Sequence, residues 1–353
     1  CYFMLVLAVA LFAASQYFSP IILRDIIESL QVYGATADYL HWRTYGIFFS
    51  FLCVMFRAYY VGITQTKILT VNSIVMLLSN VALNYCLIFG KGGFPAAGIA
   101  GAAIASSVSE AVSLLFFIIY TSMTADKRKY GFRRAFTLRP HLLKGMLSIS
   151  GWTMVQSFIS VSIWFIFFLA IEHLGERPLA VTNIVRNISA LLIMVISAFA
   201  TTAGALISNQ IGAGEQRCLF KTCGMTLKLT YAILIPLLII LCLFPESVLR
   251  AFTDSPSLIA ASVNSVYVMA SSTLIMAPSF ILFNAVSGTG NTRAGFIMEM
   301  ISLAVYTAVI YYGIIRLKPD VALCWFSEHV YGVTLIFLAW WYLKSGKWRG
   351  KKV

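Results

Sequence analysis

The chain has 353 residues, 60% of them hydrophobic and 11% charged, with 26 Lys and Arg against 13 Asp and Glu. Soluble domains carry roughly 45–50% apolar and about 25% charged residues, so a water-soluble globule, a nucleic-acid binder and a disordered chain are excluded in favour of a chain threaded repeatedly through lipid. The net charge of +13 then becomes a question of which side of the membrane the cations occupy.

A hydrocarbon core of about 30 Å needs ~20 apolar residues per helix. On that measure the apolar runs predict ten spans, at 1–18, 40–61, 68–89, 98–121, 146–171, 180–210, 226–244, 259–287, 294–315 and 325–343. The first run starts at Cys1, without a Met. Between the first two runs, Ile21–Tyr39 carries Arg24, Asp25, Glu28 and Asp38, which predicts a helix lying in the interface. The cluster Gly90-Lys91-Gly92-Gly93-Phe94-Pro95 predicts a turn, as does Lys318-Pro319-Asp320. Pro236 and Pro278 interrupt their runs and predict bends. The seven cysteines are scattered, with no zinc or redox spacing.

The densest basic cluster is Lys127-Arg128-Lys129, Arg133-Arg134, Arg139 and Lys144, followed by the C-terminal Lys344, Lys347, Arg349, Lys351 and Lys352. With the 122–145 loop in the cytoplasm, alternation of the spans places seventeen Lys and Arg on that side and six on the other. That bias orients the chain, with a cytoplasmic C-terminus. Arg43, Arg57 and Arg186 fall within spans or at their ends, where they either snorkel or line a polar cavity.

The chain also matches itself at an offset of 226 residues. Phe18, Leu23 and Arg24 fall on Phe244, Leu249 and Arg250; Gly62, Thr66 and Lys67 fall on Gly288, Thr292 and Arg293; Tyr85 falls on Tyr311. The intervening spans are even in number, so equivalent spans point the same way, as in a parallel repeat about the membrane normal. The second copy has six spans and the first four. Moving residue 146 back by the offset falls about eighty residues ahead of Cys1, room for two more helices of ~20 residues. The expected architecture is an all-α integral membrane protein with ten transmembrane helices of twelve, in two pseudo-symmetric six-helix lobes. Residues 1–121 are a partial N-lobe, 122–145 a basic cytoplasmic inter-lobe loop, 146–343 the C-lobe and 344–353 a basic cytoplasmic tail.

Three stretches, in order along the chain and at helix ends, carry a family resemblance. Asn80-Val-Ala-Leu-Asn84-Tyr followed by Gly98-Ile-Ala-Gly-Ala-Ala-Ile-Ala-Ser106 resembles the N-x-x-x-(D/N) and G-x-x-G-A-A-x-A-(T/S) pattern of the MATE (multidrug and toxic compound extrusion) transporters. Ser208-Asn209-Gln210-Ile211-Gly212-Ala213-Gly214 resembles that family's G-Q-x-x-G-A-G, with Ser208-Asn209 where Gly-Gln is usual. Ser287-Gly-Thr-Gly-Asn-Thr292 resembles its G-x-G-(D/N)-T turn. On this match the ten spans correspond to helices three to twelve.

Asn80 and Asn84 are i,i+4 and share a face, as do Ser106 and Glu110 on the next span. Polar faces inside lipid point to a cavity or to a partner helix. Amide and hydroxyl oxygens suit Na⁺, or a proton-linked network with a carboxylate, so Asn80, Asn84 and Ser106 are candidate Na⁺ ligands and the chain carries no other expected metal or cofactor. The resemblance implies that this region joins an acid on the family's first helix to form the cation site, often with Asp where this chain has Asn84. It also places Gln156 near a position that is Glu in NorM-like members, while the run 259–287 has no acid where those members carry one. Gln156 therefore either contacts substrate or makes a packing hydrogen bond. Asn183, Arg186 and Asn187 give the next run a polar start, lining the outer cavity or lying at the interface. Glu299 and Glu328 are the deepest acids of the C-terminal half; Glu299 is a candidate proton carrier, with an ion pair to Arg293 as the alternative.

With no G-x-x-x-x-G-K-(S/T) in the chain, energy is expected from an ion gradient. The expected function is export of organic cationic small molecules by H⁺ or Na⁺ antiport, with rocking lobes, by a lipid-surrounded monomer in the bacterial inner membrane that binds no nucleic acid. A flippase for a lipid-linked precursor is the alternative, favoured if Arg57 and Arg186 line the cavity. A membrane-embedded enzyme has no H-E-x-x-H or G-x-S-x-G to support it.

Overall fold

The computed structural model describes residues 2–26, 30–124, 140–346 and 348. All regular elements among them are helical, and they divide into two compact units, Cys1–Arg139 and Pro140–Val353. The central part of the basic loop (Lys127 to Arg139) lies outside the described residues, as do Glu28 and the tail cations Lys347, Arg349, Lys351 and Lys352.

The first unit holds α1 (Tyr2–Ile26), α2 (Leu30–Thr44), α3 (Gly46–Gly62), α4 (Lys67–Phe89) and α5 (Gly98–Thr124). α5 is its hub and packs on α4, α3 and α2. Cys53, Tyr60, Ile68, Leu114 and Phe117 form its core, where Phe56 stacks on Phe117 at 5.5 Å and the buried Tyr60 hydroxyl is satisfied by Thr121 at 2.7 Å. The glycine-rich cluster forms the α4–α5 turn, with Gly90 ending α4 in the left-handed region at φ 66°.

The second unit holds α6 (Pro140–Glu172), α7 (Glu176–Gly212), α8 (Leu219–Leu243), α9 (Pro245–Leu249), α10 (Pro256–Gly288), α11 (Thr292–Val309, prolonged by a π-helical turn to Arg316), α12 (Val321–Cys324) and α13 (Ser327–Ser345). Its axis is the long pairing of α7 with α10. A Cβ at Gly288 would meet the Gly204 carbonyl oxygen at 2.5 Å, and one at Gly204 would meet the Asn284 carbonyl oxygen at 2.8 Å. The two backbones touch there, a small-residue contact of the kind that joins helices in lipid, where no hydrophobic force drives association. The Ser287–Thr292 motif acquires a physical role at the same place. Gly288 makes the contact, Gly290 turns the chain at φ 77°, and Asn291 caps α11 by accepting from the Ala294 N–H while its amide donates to the Tyr342 hydroxyl. At the other predicted turn Asp320 caps α12 through the Val321 N–H, 2.8 Å away.

Among the described residues nine helices are long and apolar enough to cross a membrane, and α2 with α3 forms a tenth candidate bent by 43°. Two expectations change. The run 40–61 is not one straight helix, because α2 ends at Thr44 and α3 starts at Gly46. The segment Ile21–Tyr39 is not a separate interfacial helix either, since α1 continues through Arg24 to Ile26 and α2 begins at Leu30. Boundaries also move outward, α8 beginning at Leu219 and α6 at Pro140. Helices α8 and α10 run on through Pro236 and Pro278.

Candidate functional site

The serine-rich α5 presents two faces. Ser106, Ser109 and Ser113 recur at i,i+3 and i,i+7 and meet α4, while Ser107 and Glu110, three apart, meet α2. On the α4 side the Asn80 amide donates to the Ser106 and Ser109 hydroxyls at 3.4 and 3.3 Å, and Asn84 donates to the Asn80 carbonyl at 2.9 Å. Deeper along the same seam the fully buried Asn72 and Ser113 exchange contacts of 2.8 and 3.1 Å. Asn80, Asn84 and Ser106 are thus brought together, with one oxygen of the set, Asn84 Oδ1, buried and without a partner among the described residues.

Glu110 does not join them. Its carboxylate takes a two-point ion pair from Arg43, Nη2 to Oε1 at 2.7 Å and Nη1 to Oε2 at 3.1 Å, directly above Gly46. A Cβ at 46 would meet the tips of both side chains, so Gly46 leaves the ion pair its room. This pairing explains how α2 lies among apolar helices despite Arg43: its charge is matched on the neighbouring helix in the planar bidentate geometry that guanidinium favours. Arg57 is exposed on α3.

The second unit holds a cavity of about 240 Å³, walled by α6, α7, α10, α11 and α13. Its polar lining is Ser160, Glu299, Tyr306, Glu328 and Tyr331; Trp164, Phe280, Met276 and aliphatic side chains complete it. Glu299 is 3% exposed, and its Oε1 accepts from the Ser160 hydroxyl and from the Tyr331 hydroxyl, each at 2.9 Å. Ser160 has a second acceptor at 2.9 Å, the Gln156 carbonyl, so its one proton serves one of the two at a time. Glu299 Oε2 is enclosed and has no partner among the described residues. Glu328 Oε1 accepts from the Tyr306 hydroxyl at 2.7 Å, and the two tyrosine rings meet edge to face at 5.8 Å.

The remaining candidates lie around this cavity rather than in its wall. Gln156 is buried one turn before Ser160. Arg186 lies over the rings of Phe168 and Trp164, at 5.1 and 5.8 Å, so the cavity's tryptophan carries a protein cation on its face. Asn183 is half-buried and Asn187 exposed, on the stretch of α7 that precedes the cavity residue Ile193 by about 10–15 Å along the helix. Arg293 lies over Trp152 instead of pairing with Glu299. The sequence pattern does not single out Ser160, Tyr306 or Tyr331, and it marks Glu328 only as a deep acid. The signal that could have found them is facial: Glu299 and Tyr306 are i,i+7, and Glu328 and Tyr331 are i,i+3, so each acid shares a helix face with one tyrosine.

The MatE family model matches residues 1–86 and 153–312. The chain is similar to a probable multidrug resistance protein NorM of Thermotoga maritima, 25% identical over 78% of this chain and 59% of that one. It is also similar to the uncharacterized transporter YisQ of Bacillus subtilis, 24% identical over 72% and 56% respectively, so it spans under three-fifths of the length of these relatives. A solved structure of a MOP superfamily transporter from Pyrococcus furiosus, described as having a binding pocket of reverse polarity that suggests a different function, shares the fold. The TM-score is 0.86 at 16% identity, over 98% of this chain and 77% of that one. An outward-facing multidrug resistance MATE family transporter matches with a TM-score of 0.83, again at 16% identity, over 97% and 76%. With its multi-pass helical build and a family match over most of its length, the chain belongs to the MatE family of membrane transporters.

Proposed function

We propose that the protein exports small organic cations from a bacterial cell across the inner membrane in exchange for H⁺ or Na⁺, by alternating access as a lipid-surrounded monomer with its C-terminus in the cytoplasm. The observation that carries this reading is the cavity of the second unit, where two carboxyl groups sit among Phe280, Tyr306 and Tyr331. Aromatic faces attract a desolvated cation, and the carboxylates supply the opposite charge that a cation leaving water requires. The relatives named multidrug resistance proteins support the same reading, as does the excess of cations on the side assigned to the cytoplasm. A flippase for an anionic lipid-linked precursor would need cations facing its cavity, and neither Arg nor Lys is among the lining residues.

The test is efflux by the full-length protein in cells lacking their own pumps. Ethidium is expected to accumulate less than in vector-only cells. Equal accumulation, repeated for several cationic dyes, would exclude this function. Collapsing the proton and sodium gradients in separate assays identifies the driving ion.

A further inference from the structure

We infer that Glu299 and Glu328 form a proton-binding site built across α11 and α13, with Glu299 the seat of one exchangeable proton. The inference rests on the gradient-driven exchange proposed above and deepens it, naming the ion and its residues. Its basis is a reciprocal arrangement. Tyr331 of α13 donates to Glu299 of α11, and Tyr306 of α11 donates to Glu328 of α13, so each helix supplies one acid and the hydroxyl that holds the other's.

The charge state follows from what surrounds Glu299. Tyr331 and Glu328 approach from α13, Ser160 from α6 and Tyr306 from α11 itself; α10 contributes Met276 and Phe280, which do not titrate. The nearby cations are engaged elsewhere, Arg186 of α7 over Trp164 and Phe168 and Arg293 over Trp152, while His329 contacts Ser271 at 2.9 Å. An ionised Glu299 would hold charge on Oε2, an enclosed oxygen with no donor, and burial without a partner is heavily penalised. A neutral carboxylic acid fits the geometry. Oε1 is then the carbonyl oxygen, its two lone pairs used by Ser160 and Tyr331, and Oε2 carries the proton. Na⁺ fits less well, because Ser160 and Tyr331 both aim O–H donors at Oε1 and would have to turn away to offer a cation their lone pairs.

The exchange is balanced in charge. When a monovalent organic cation enters, Glu299 releases one H⁺ and becomes the carboxylate that neutralises it; when the cation leaves, one H⁺ returns. Because the released charge also strengthens the hydrogen bonds from Tyr331 and Ser160, proton occupancy is linked to the packing of α11 against α13.

Infrared difference spectroscopy of the full-length protein in lipid tests the site without a substrate. The expected result is a protonated-carboxyl C=O band that is lost in Glu299→Gln and unmoved by Na⁺. Absence of the band, or its persistence in that variant, would overturn the inference. If Glu299→Gln does not fold, Tyr331→Phe serves instead: removing one donor to Oε1 is expected to move the band to higher frequency, and an unmoved band counts against the site. Adding tetraphenylphosphonium to the wild type is then expected to diminish the band. If the band is present and no cationic dye is exported, the export reading fails and the proton site stands; if export is driven by Na⁺ and the band is absent, the reverse holds.

Discussion

In Cys1–Arg139 Glu110 meets a guanidinium in a two-point ion pair; in Pro140–Val353 Glu299 and Glu328 meet only hydroxyls. The first arrangement leaves no charge to exchange, since Arg43 is permanently cationic and Glu110 is satisfied at both oxygens. The second leaves one carboxyl oxygen bare beside a cavity. An ion pair between α2 and α5 fixes the bent α2–α3 segment in place, whereas hydroxyls around an acid hold its position and leave its protonation free to change. On the proposed assignment the contrast separates a structural charge from a working one, and it is breakable by substitution.

The largest expected difference is in transport. Glu299→Gln is expected to cut ethidium efflux by more than about tenfold, equivalent to ~1.4 kcal/mol, while Glu110→Gln leaves it nearly intact in protein that folds. Efflux measured per molecule of folded transporter checks this. Equal losses from the two variants would erase the distinction between the units.

Stability should show the opposite order. Arg43→Ala or Glu110→Ala is expected to cost about 1–3 kcal/mol. Removing one partner of a buried pair costs ~3–5 kcal/mol, and Arg43 is one-third exposed, which lowers the penalty. The double replacement Arg43→Met with Glu110→Leu should recover much of the loss, because it removes both charges and keeps the volume. Thermal unfolding of the purified variants in detergent reads the difference. A double variant as stable as the wild type but unable to export would place the ion pair in the transport machinery.

A smaller effect is expected at Arg186. Its guanidinium occupies the faces of Trp164 and Phe168 and repels any cation entering beside them. Arg186→Gln is expected to tighten tetraphenylphosphonium binding by roughly fivefold, about 1 kcal/mol, the size of a single cation–π contact. Weaker binding in that variant would mean that the arginine assists the ligand instead of competing with it.

How much of this the sequence discloses depends on the range of the interaction. The spans are readable because burial in lipid imposes a continuous apolar run, and the turns at Gly90–Pro95 and Lys318–Asp320 are readable because their residues act locally. The Arg43–Glu110 pair is not, since its residues lie 67 apart in the chain. The same holds for Ser160 and Glu299, 139 residues apart on helices whose packing no local pattern encodes. Facial spacing put Asn80, Asn84 and Ser106 on facing helix surfaces, and they do meet. It also grouped Glu110 with Ser106, where the length of the glutamate side chain and the presence of Arg43 on another helix decided otherwise.

The smallest predicted effect concerns that asparagine seam. If it only joins α4 to α5, Asn80→Ala removes the donor to Ser106 and Ser109 and is expected to cost about 0.6 kcal/mol, the typical worth of an interhelical hydrogen bond in lipid. Its contacts to α5 of 3.3–3.4 Å are at the long end for hydrogen bonds, and the 2.9 Å bond it accepts from Asn84 lies within α4, so the interhelical estimate stays low. Asn84→Leu would then be near neutral, because losing that bond to Asn80 is offset by discarding an enclosed carbonyl oxygen that has no partner among the described residues. Export should follow stability in both variants, with little loss. A severalfold fall in export at unchanged thermal stability, in either variant, would instead show that the first unit also carries an exchangeable ion, held by amides where the second uses carboxylates.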